Sequence, residues 1–237
     1  MALMELWLPN NAATAVQRGR VNAAIDEMIQ VVQTTYPRLV QVANVEGALV
    51  ETAGALLLRA VELLTAARVA ESAGPTARPA VELTVRSGFE VTCRGRFLAL
   101  SPDAPEEFVR LVSDFERKDS ALCKRVGQQP APLPPFLAAL VDSNAARPRD
   151  LWAICEALDK IERRDIEDHH SARGSYIALY QWLSNAAAHG GLGSIRRFTR
   201  EEQGVLHLIV RPSPMTTHWP VPILAAHVGE LAVRVLD

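Results

Sequence analysis

Residues 81–100, VELTVRSGFEVTCRGRFLAL, are compatible with two different structures. Apolar and polar residues alternate in VELTV and in FEVTC, with Arg86-Ser87-Gly88 between them, which is typical of a β-hairpin. The same stretch also carries apolar residues at steps of three and four, as on one face of an α-helix: Val81, Val85, Phe89, Cys93, Phe97 and Leu100. The pattern by itself slightly favours the hairpin, so the decision must come from elsewhere in the sequence.

The chain on either side of this stretch is predicted to be helical up to about residue 193. Apolar residues at helical spacing and proline or glycine interruptions divide it into segments. The predicted helices are Ala13 to Thr35, Arg38 to Ser72, Phe136 to Val141, Asp150 to Arg164 and Ser171 to Ala188, and a further helix is predicted to start within Ser101 to Glu107 and to run to Arg125. Asp150 suits a helix N-cap, and Gly190-Gly191 suits a helix C-terminus.

The C-terminal part predicts a small hairpin and a closing helix. The β-branched run VLHLIVR, Val205 to Arg211, is predicted to pair with Ile195 to Thr199 through a turn at Glu201 to Gly204. An amphipathic helix is expected from Val221 to Leu236. We therefore expect a single helical domain over residues 1–237, with a loose arm at 1–12, a bundle at 13–193, and the hairpin and closing helix at 194–237.

The composition restricts the class of protein. Hydrophobic residues make up 49% of the 237 residues and the formal net charge is -2, so a full core is expected and an overall basic nucleic-acid-binding character is excluded. Cys93, Cys123 and Cys155 lack metal-site or redox spacing and are expected to be reduced thiols. No signal peptide and no apolar run of membrane-spanning length is seen, which predicts a cytoplasmic protein that does not enter membranes.

Tyr176 to His189, YIALYQWLSNAAAH, is the segment richest in chemistry. Tyr176, Tyr180 and Ser184 lie at steps of four on one predicted helical face, and His189 follows at the helix end, where the dipole favours its protonated form. Ordinary helix packing explains the same spacing equally well. The acidic and histidine-rich run DIEDHH, residues 165–170, has no second ligand cluster in the sequence, so no metal and no cofactor are expected.

The pattern Tyr-x-x-x-Tyr-x-x-Leu-Ser-x-x-x-x-His, ending at His189, resembles a family of uncharacterised bacterial proteins that looks related to the HEPN superfamily. Gly74 to Glu90, with Arg86-x-x-x-Glu90, and Ser101 to Asp119 resemble two further blocks of that family, so the resemblance covers about residues 45–195. It implies an all-α, HEPN-like helical bundle and so decides residues 81–100 in favour of a helix. On that helix Arg86 and Glu90 can form a salt bridge or face a central polar site.

The resemblance also implies a site. HEPN ribonucleases typically carry an arginine, a polar residue and, after three more residues, a histidine that acts as the base on a ribose 2′-hydroxyl. The matching window here begins with Ser184-Asn185 and ends at His189, so serine occupies the arginine position. A neutral hydroxyl cannot neutralise a dianionic transition state, and the positive charge would have to come from Arg86 or Arg173.

Candidate catalytic residues are thus His189, Ser184 and Asn185, and candidate binding residues are Tyr176, Tyr180, Arg86, Glu90 and Arg173. Two functions remain open: a binding module for RNA, a nucleotide or a protein such as an antitoxin or defence component, and a metal-independent ribonuclease. Both imply a homodimer paired through the motif helices. A structural subunit of a larger assembly is a third alternative, and the sequence leaves open whether the protein is an enzyme.

Overall fold

The computed structural model describes residues 15–35, 45–74, 77–133, 135–168, 170–181, 183–184, 199–202, 205–208 and 220–236. The helices are α1 (Ala15–Thr35), α2 (Val45–Ser72), α3 (Arg78–Leu100), α4 (Ala104–Val126), α5 (Pro135–Ala138), α6 (Leu151–Glu162), α7 (Ala172–Ser175) and α8 (Pro220–Leu236). A π-helical segment, Tyr176–Gln181, continues directly from α7. Strands β1 (Thr199–Glu202) and β2 (Val205–Leu208) form an antiparallel pair. The all-α prediction is confirmed.

Helix α3 settles the conflict over residues 81–100 in favour of the helix. Its residues at steps of four are buried: Val81, Val85, Phe89, Cys93 and Phe97. They lie in the main core, where α3 packs against α2, α6 and α8. One face of an α-helix collects these residues, whereas a hairpin would distribute them over two strands.

The glycines of α3 serve helix packing and not a turn. A Cβ atom on Gly88 would lie 2.7 Å from Leu224 Cδ2, and one on Gly95 would lie 2.7 Å from Leu231 Cδ2. Leu224 and Leu231 are fully buried on α8. Glycine therefore lets the backbones of α3 and α8 approach closely, and the apparent turn signal Arg86-Ser87-Gly88 lies within a continuous helix.

Local sequence signals fix several helix ends, of which the Asp150 cap was expected. Asp150 caps α6 by accepting a hydrogen bond from Ala153 N at 2.8 Å. Helix α4 has proline in its first turn and acidic residues there, Glu106 and Glu107, and it ends at Gly127, whose φ of 70° is left-handed. A smaller apolar cluster joins α4 to α2 and the end of α3: Ala48, Leu49, Leu98, Ala104, Phe108 and Val112.

Three details of the predicted elements were wrong. The helix predicted from Ser171 is α-helical only to Ser175 and then takes the wider π-helical form. Helix α5 ends at Ala138 and not at Val141, because the chain continues there in a turn. In the hairpin, Glu201 and Glu202 belong to the strand, opposite Leu206 and Val205, so the connection is shorter than expected.

Other predictions lie outside the described residues, namely the arm at 1–12, residues 13–14 and 38–44 at the starts of the first two predicted helices, the helix end predicted at 185–191, Ile195 to Phe198, and residues 209–211. The closing helix is confirmed, since α8 covers the predicted span. Among the described helices, none has both the length and the apolar character that crossing a membrane requires.

Candidate functional site

Arg86 on α3 joins the predicted motif segment through two hydrogen bonds. Its Nε donates to Ser184 Oγ at 2.8 Å, and its Nη2 donates to the Tyr180 hydroxyl at 2.9 Å. The guanidinium carbon also lies 4.7 Å from the centroid of the Tyr180 ring, within cation–π range. Three of the residues singled out from the sequence, separated by up to 98 positions along the chain, therefore form one group.

The partners of Arg86 among the described residues are neutral hydroxyls. Within the residues that the structure describes, no carboxylate forms an ion pair with Arg86. Glu90, predicted to pair with it or face the same site, instead pairs with Arg94 at 3.5 Å. Arg86 is thus a half-buried cation without a carboxylate partner among these residues, and it retains N–H donors beyond those used in the two bonds. Such a group can bind an anion.

Aromatic rings extend from Arg86 towards the surface. The rings of Tyr180 and Tyr176 are stacked, with centroids 5.1 Å apart and planes 22° apart. Trp152 of α6 meets Tyr176 edge to face at 5.3 Å, and 37% of its surface is exposed. Burial raises the pKa of the Tyr176 phenol, so it stays protonated and can donate a hydrogen bond. We call Trp152, Tyr176 and Tyr180 the aromatic row.

The π-helical segment sets the spacing of this row. A π-helix is rare in proteins and occurs most often as a short insertion at functional sites. Here it covers both tyrosines, from Tyr176 to Gln181. The sequence predicted that the tyrosines lie on one face of a regular helix. The structure instead has a wider helical turn, which still brings both phenol rings together beside Arg86.

Arg173 is occupied elsewhere. Its Nε donates to Asp159 Oδ2 at 2.8 Å. Asp159, on α6, is almost completely buried and also accepts hydrogen bonds from Ser171 Oγ, Ala172 N and Arg173 N. This group fixes the start of α7, and with it the entry into the π-helical segment. Arg173 therefore positions the segment that carries the site, and it forms no contact with Arg86 or Ser184 among the described residues.

Arg96 is a residue that the sequence analysis missed. Its side chain has no solvent-exposed surface, and it contacts Glu162 at 2.5 Å, Glu230 at 2.7 Å and His227 Nδ1 at 2.8 Å. The carboxylates join α3 to α6 and α8. The sequence does show a charged residue between Cys93 and Phe97 of the α3 ladder, which could have marked Arg96 as buried. Its acidic partners are far along the chain, so the sequence does not show which residues it pairs with.

The titration of this cluster is set by burial and charge. Burial lowers the pKa of His227, which accepts from Arg96 at Nδ1 and donates from Nε2 to Ser175 Oγ at 2.8 Å, as the neutral form requires. Burial alone would raise the pKa of Glu230, but its ion pairs with Arg96 at 2.7 Å and Arg164 at 3.0 Å outweigh burial and lower the pKa to about 2. Since Ser175 directly precedes Tyr176, this network holds the π-helical segment from a second side.

His189 and Asn185 lie outside the described residues, and so do the alanines between them. Of the run DIEDHH, His170 contacts Glu230 at 3.1 Å through Nδ1. Within the described ranges, no group of three or more histidine, cysteine, aspartate or glutamate side chains is arranged to hold a metal ion. Cys93 and Cys155 lie 4.0 Å apart as buried free thiols.

Comparison with known proteins gives no match of any of three kinds: no family model matches the chain, and no curated protein and no solved structure matches it significantly. Function must therefore be inferred from the geometry of the described residues.

Proposed function

We propose that the protein is a HEPN-like helical module that binds RNA, with Arg86 contacting a phosphate. The observation that carries this proposal is the guanidinium of Arg86, held by Ser184 and Tyr180 and without a carboxylate partner among the described residues. A guanidinium binds phosphate strongly because it offers two parallel N–H donors and a permanent charge.

The aromatic row supports RNA as the source of that phosphate. Proteins bind single-stranded RNA by stacking its bases on aromatic side chains and contacting its backbone with cations. Trp152 is partly exposed and leads through Tyr176 to Tyr180, beside Arg86. Phosphate and base contacts would thus lie on adjacent parts of one surface.

A second function, metal-independent RNA cleavage, is favoured by one specific contact. Ser184 occupies the position of the arginine in the HEPN motif, and the guanidinium of Arg86 lies at its hydroxyl, 2.8 Å away. Arg86 would then supply the missing charge from another helix, while His189 would act as the general base on the 2′-hydroxyl. This function includes dimerisation through the motif helices, which sedimentation of the purified protein tests directly.

One experiment addresses both functions. Wild type, Arg86→Gln and His189→Ala are mixed with labelled single-stranded RNA in the presence of a chelator, and both binding and cleavage are measured. Loss of a charged hydrogen bond of about 1.5–3 kcal/mol predicts roughly 10- to 100-fold weaker binding by Arg86→Gln. Arg59→Gln, which removes an exposed surface ion pair on α2, is the matched control and should bind like wild type.

The outcomes separate the two functions. Binding that Arg86→Gln weakens, without cleavage by wild type, supports the binding module. Cleavage that disappears in both Arg86→Gln and His189→Ala supports the ribonuclease. Equal binding by wild type and Arg86→Gln would remove the basis of the proposal.

A further inference from the structure

A second cationic surface lies beside the start of α6. An open groove of about 660 Å³ is formed by the end of α3, the middle of α4 and the segment that precedes α6. The positively charged side chains that line it are Arg94, Arg117, Lys118, Arg147 and Arg149. Asp114 and Asp150 are the acidic residues of its lining, so cations outnumber acids. We call this surface the cationic groove.

Part of this charge is already balanced. Lys118 pairs with Asp114 at 2.6 Å, and Arg149 pairs with Asp103 at 2.7 Å. Arg117 and Arg147 are exposed, and neither forms an ion pair with another described residue. The groove thus carries two arginines without an ion-pair partner among the described residues, in a chain whose formal net charge is -2. Their charge is concentrated at this surface and is not part of a general basic character.

Contacts of Arg149 with α3 and α4 form the base of the cationic groove. Arg149 N donates to Glu107 Oε1 at 2.9 Å, and its guanidinium lies 5.1 Å from the Phe97 ring centroid. Glu107 is almost completely buried, and burial raises the pKa of its carboxyl against the opposing effect of the arginines around it. Arg149 is therefore held against α3 and α4, and Arg147, two residues earlier, lies on the same segment.

The cationic groove is connected to the Arg86 site by two elements. Arg86 and Arg94 are eight residues apart on α3, which corresponds to about 12 Å along the helix axis. Asp150, at the start of α6, lines the groove, and Trp152, two residues later, belongs to the aromatic row. A short extended strand can span this distance.

We infer that the cationic groove binds the phosphate backbone of single-stranded RNA whose neighbouring nucleotides reach Arg86. This inference rests on the proposed function and adds the path of the strand. A volume of about 660 Å³ is in the range of sites that enclose small ligands, and is too small to take in a duplex. Double-stranded RNA is contacted instead over extended surfaces of about 16 base pairs.

The test uses fluorescence anisotropy with a labelled oligouridylate of about twelve nucleotides, a length within the site sizes of single-strand-binding proteins. The proteins are full-length wild type, Arg117→Gln/Arg147→Gln, Arg86→Gln and the control Arg59→Gln/Arg234→Gln. The control removes the same number of charges from exposed positions on α2 and α8. Affinity is measured over a series of salt concentrations, and circular dichroism verifies that each variant is folded.

We expect the groove variant to bind at least about tenfold more weakly at low salt, and the control to bind like wild type. Because each phosphate contact to a single strand contributes about 0.7 to the slope of log K against log salt, loss of two contacts should reduce that slope by about 1.4. An equal loss of affinity in the control would show a general charge effect and overturn the inference.

The remaining outcomes separate the inference from the proposed function. If Arg86→Gln weakens binding but the groove variant does not, the groove is not on the RNA path and the proposed function stands. If the groove variant weakens binding but Arg86→Gln does not, RNA binds at the groove and the role proposed for Arg86 is refuted. If wild type does not bind the oligonucleotide even at low salt, both are refuted.

Discussion

Replacing Glu230 with glutamine should reveal how much the buried charge cluster stabilises the fold. Glu230 faces Arg96 from α3, Glu162 at the end of α6, Arg164 and His170 from the segment after α6, and His227 on its own helix. Its pKa is lowered to about 2 from 4.5. The folded protein therefore holds this carboxylate in its charged form more strongly than the unfolded chain does.

The size of the effect can be worked out from that shift. The lowering of the pKa from 4.5 to about 2 corresponds to about 3 kcal/mol. Because 21% of the side chain is exposed, solvent screening reduces this figure, and we expect about 2–3 kcal/mol at pH 7. Since the folded pKa lies below the unfolded one, the contribution is complete above about pH 4.5 and is lost as the pH falls towards 2.

Urea unfolding followed by circular dichroism, repeated between pH 7 and pH 3, measures this contribution. Urea is preferred to guanidinium because it does not screen charges. Wild type should be more stable than Glu230→Gln at pH 7, and the gap should narrow below about pH 4.5. The control Glu62→Gln alters an exposed carboxylate on α2 and should change stability by less than about 1 kcal/mol. A gap of constant size from pH 7 to pH 3 would mean that packing and not charge is lost, and would refute the reasoning.

Two further substitutions test the packing around the site. Gly95→Ala should lower the free energy of unfolding in urea by about 1–2 kcal/mol, because the new Cβ would lie 2.7 Å from the buried Leu231. The control Gly229→Ala places its Cβ 3.4 Å from the nearest atom and should be slightly stabilising, because alanine favours a helix more than glycine does. Equal effects of the two substitutions would contradict the close approach of α3 and α8. Asp159→Asn should lower the free energy of unfolding by about 3 kcal/mol, and with it the melting temperature, because the buried carboxylate accepts hydrogen bonds from the backbone N–H groups at the start of α7. A melting temperature no lower than that of the exposed control Asp165→Asn would argue against this role.

The sequence predicted the helical architecture because the relevant signals are local. Asp150 acts within one helical turn and caps α6 as predicted, whereas the apolar ladder of α3, which is buried in the structure, left the hairpin slightly favoured when the pattern was taken alone. The hairpin alternative for α3 arose because polar residues also lie on its buried surface, Glu82, Thr92 and Arg96. A buried Arg96 needs Glu162 and Glu230, which lie 66 and 134 residues away, and no local pattern contains that information.

The candidate site was only partly predictable for the same reason. Tyr176, Tyr180 and Ser184 were found from their spacing, and the resemblance left Arg86 and Arg173 as the two cations that could supply positive charge beside Ser184. The contact itself crosses 98 residues and depends on how α3 packs against the π-helical segment. That segment has no sequence signal of its own, because wider helical turns are stabilised by tertiary contacts and not by residue propensity.

The three arginines around this segment show why Arg86 is the one to which we assign ligand binding. Arg96 contacts two carboxylates, and Arg173 is paired with the buried Asp159, so the charge of each is balanced within the fold. Their networks reach the π-helical segment from two sides, at Ser171 and at Ser175. Arg86 contacts the same segment, and among the described residues its hydrogen-bond partners are hydroxyl groups. Because Ser184 and Tyr180 already hold the guanidinium of Arg86 in place, it loses little conformational entropy when it binds an anion. A preorganised phosphate site requires a cation that is held in this way and has no carboxylate partner, as is the case for Arg86 among the described residues.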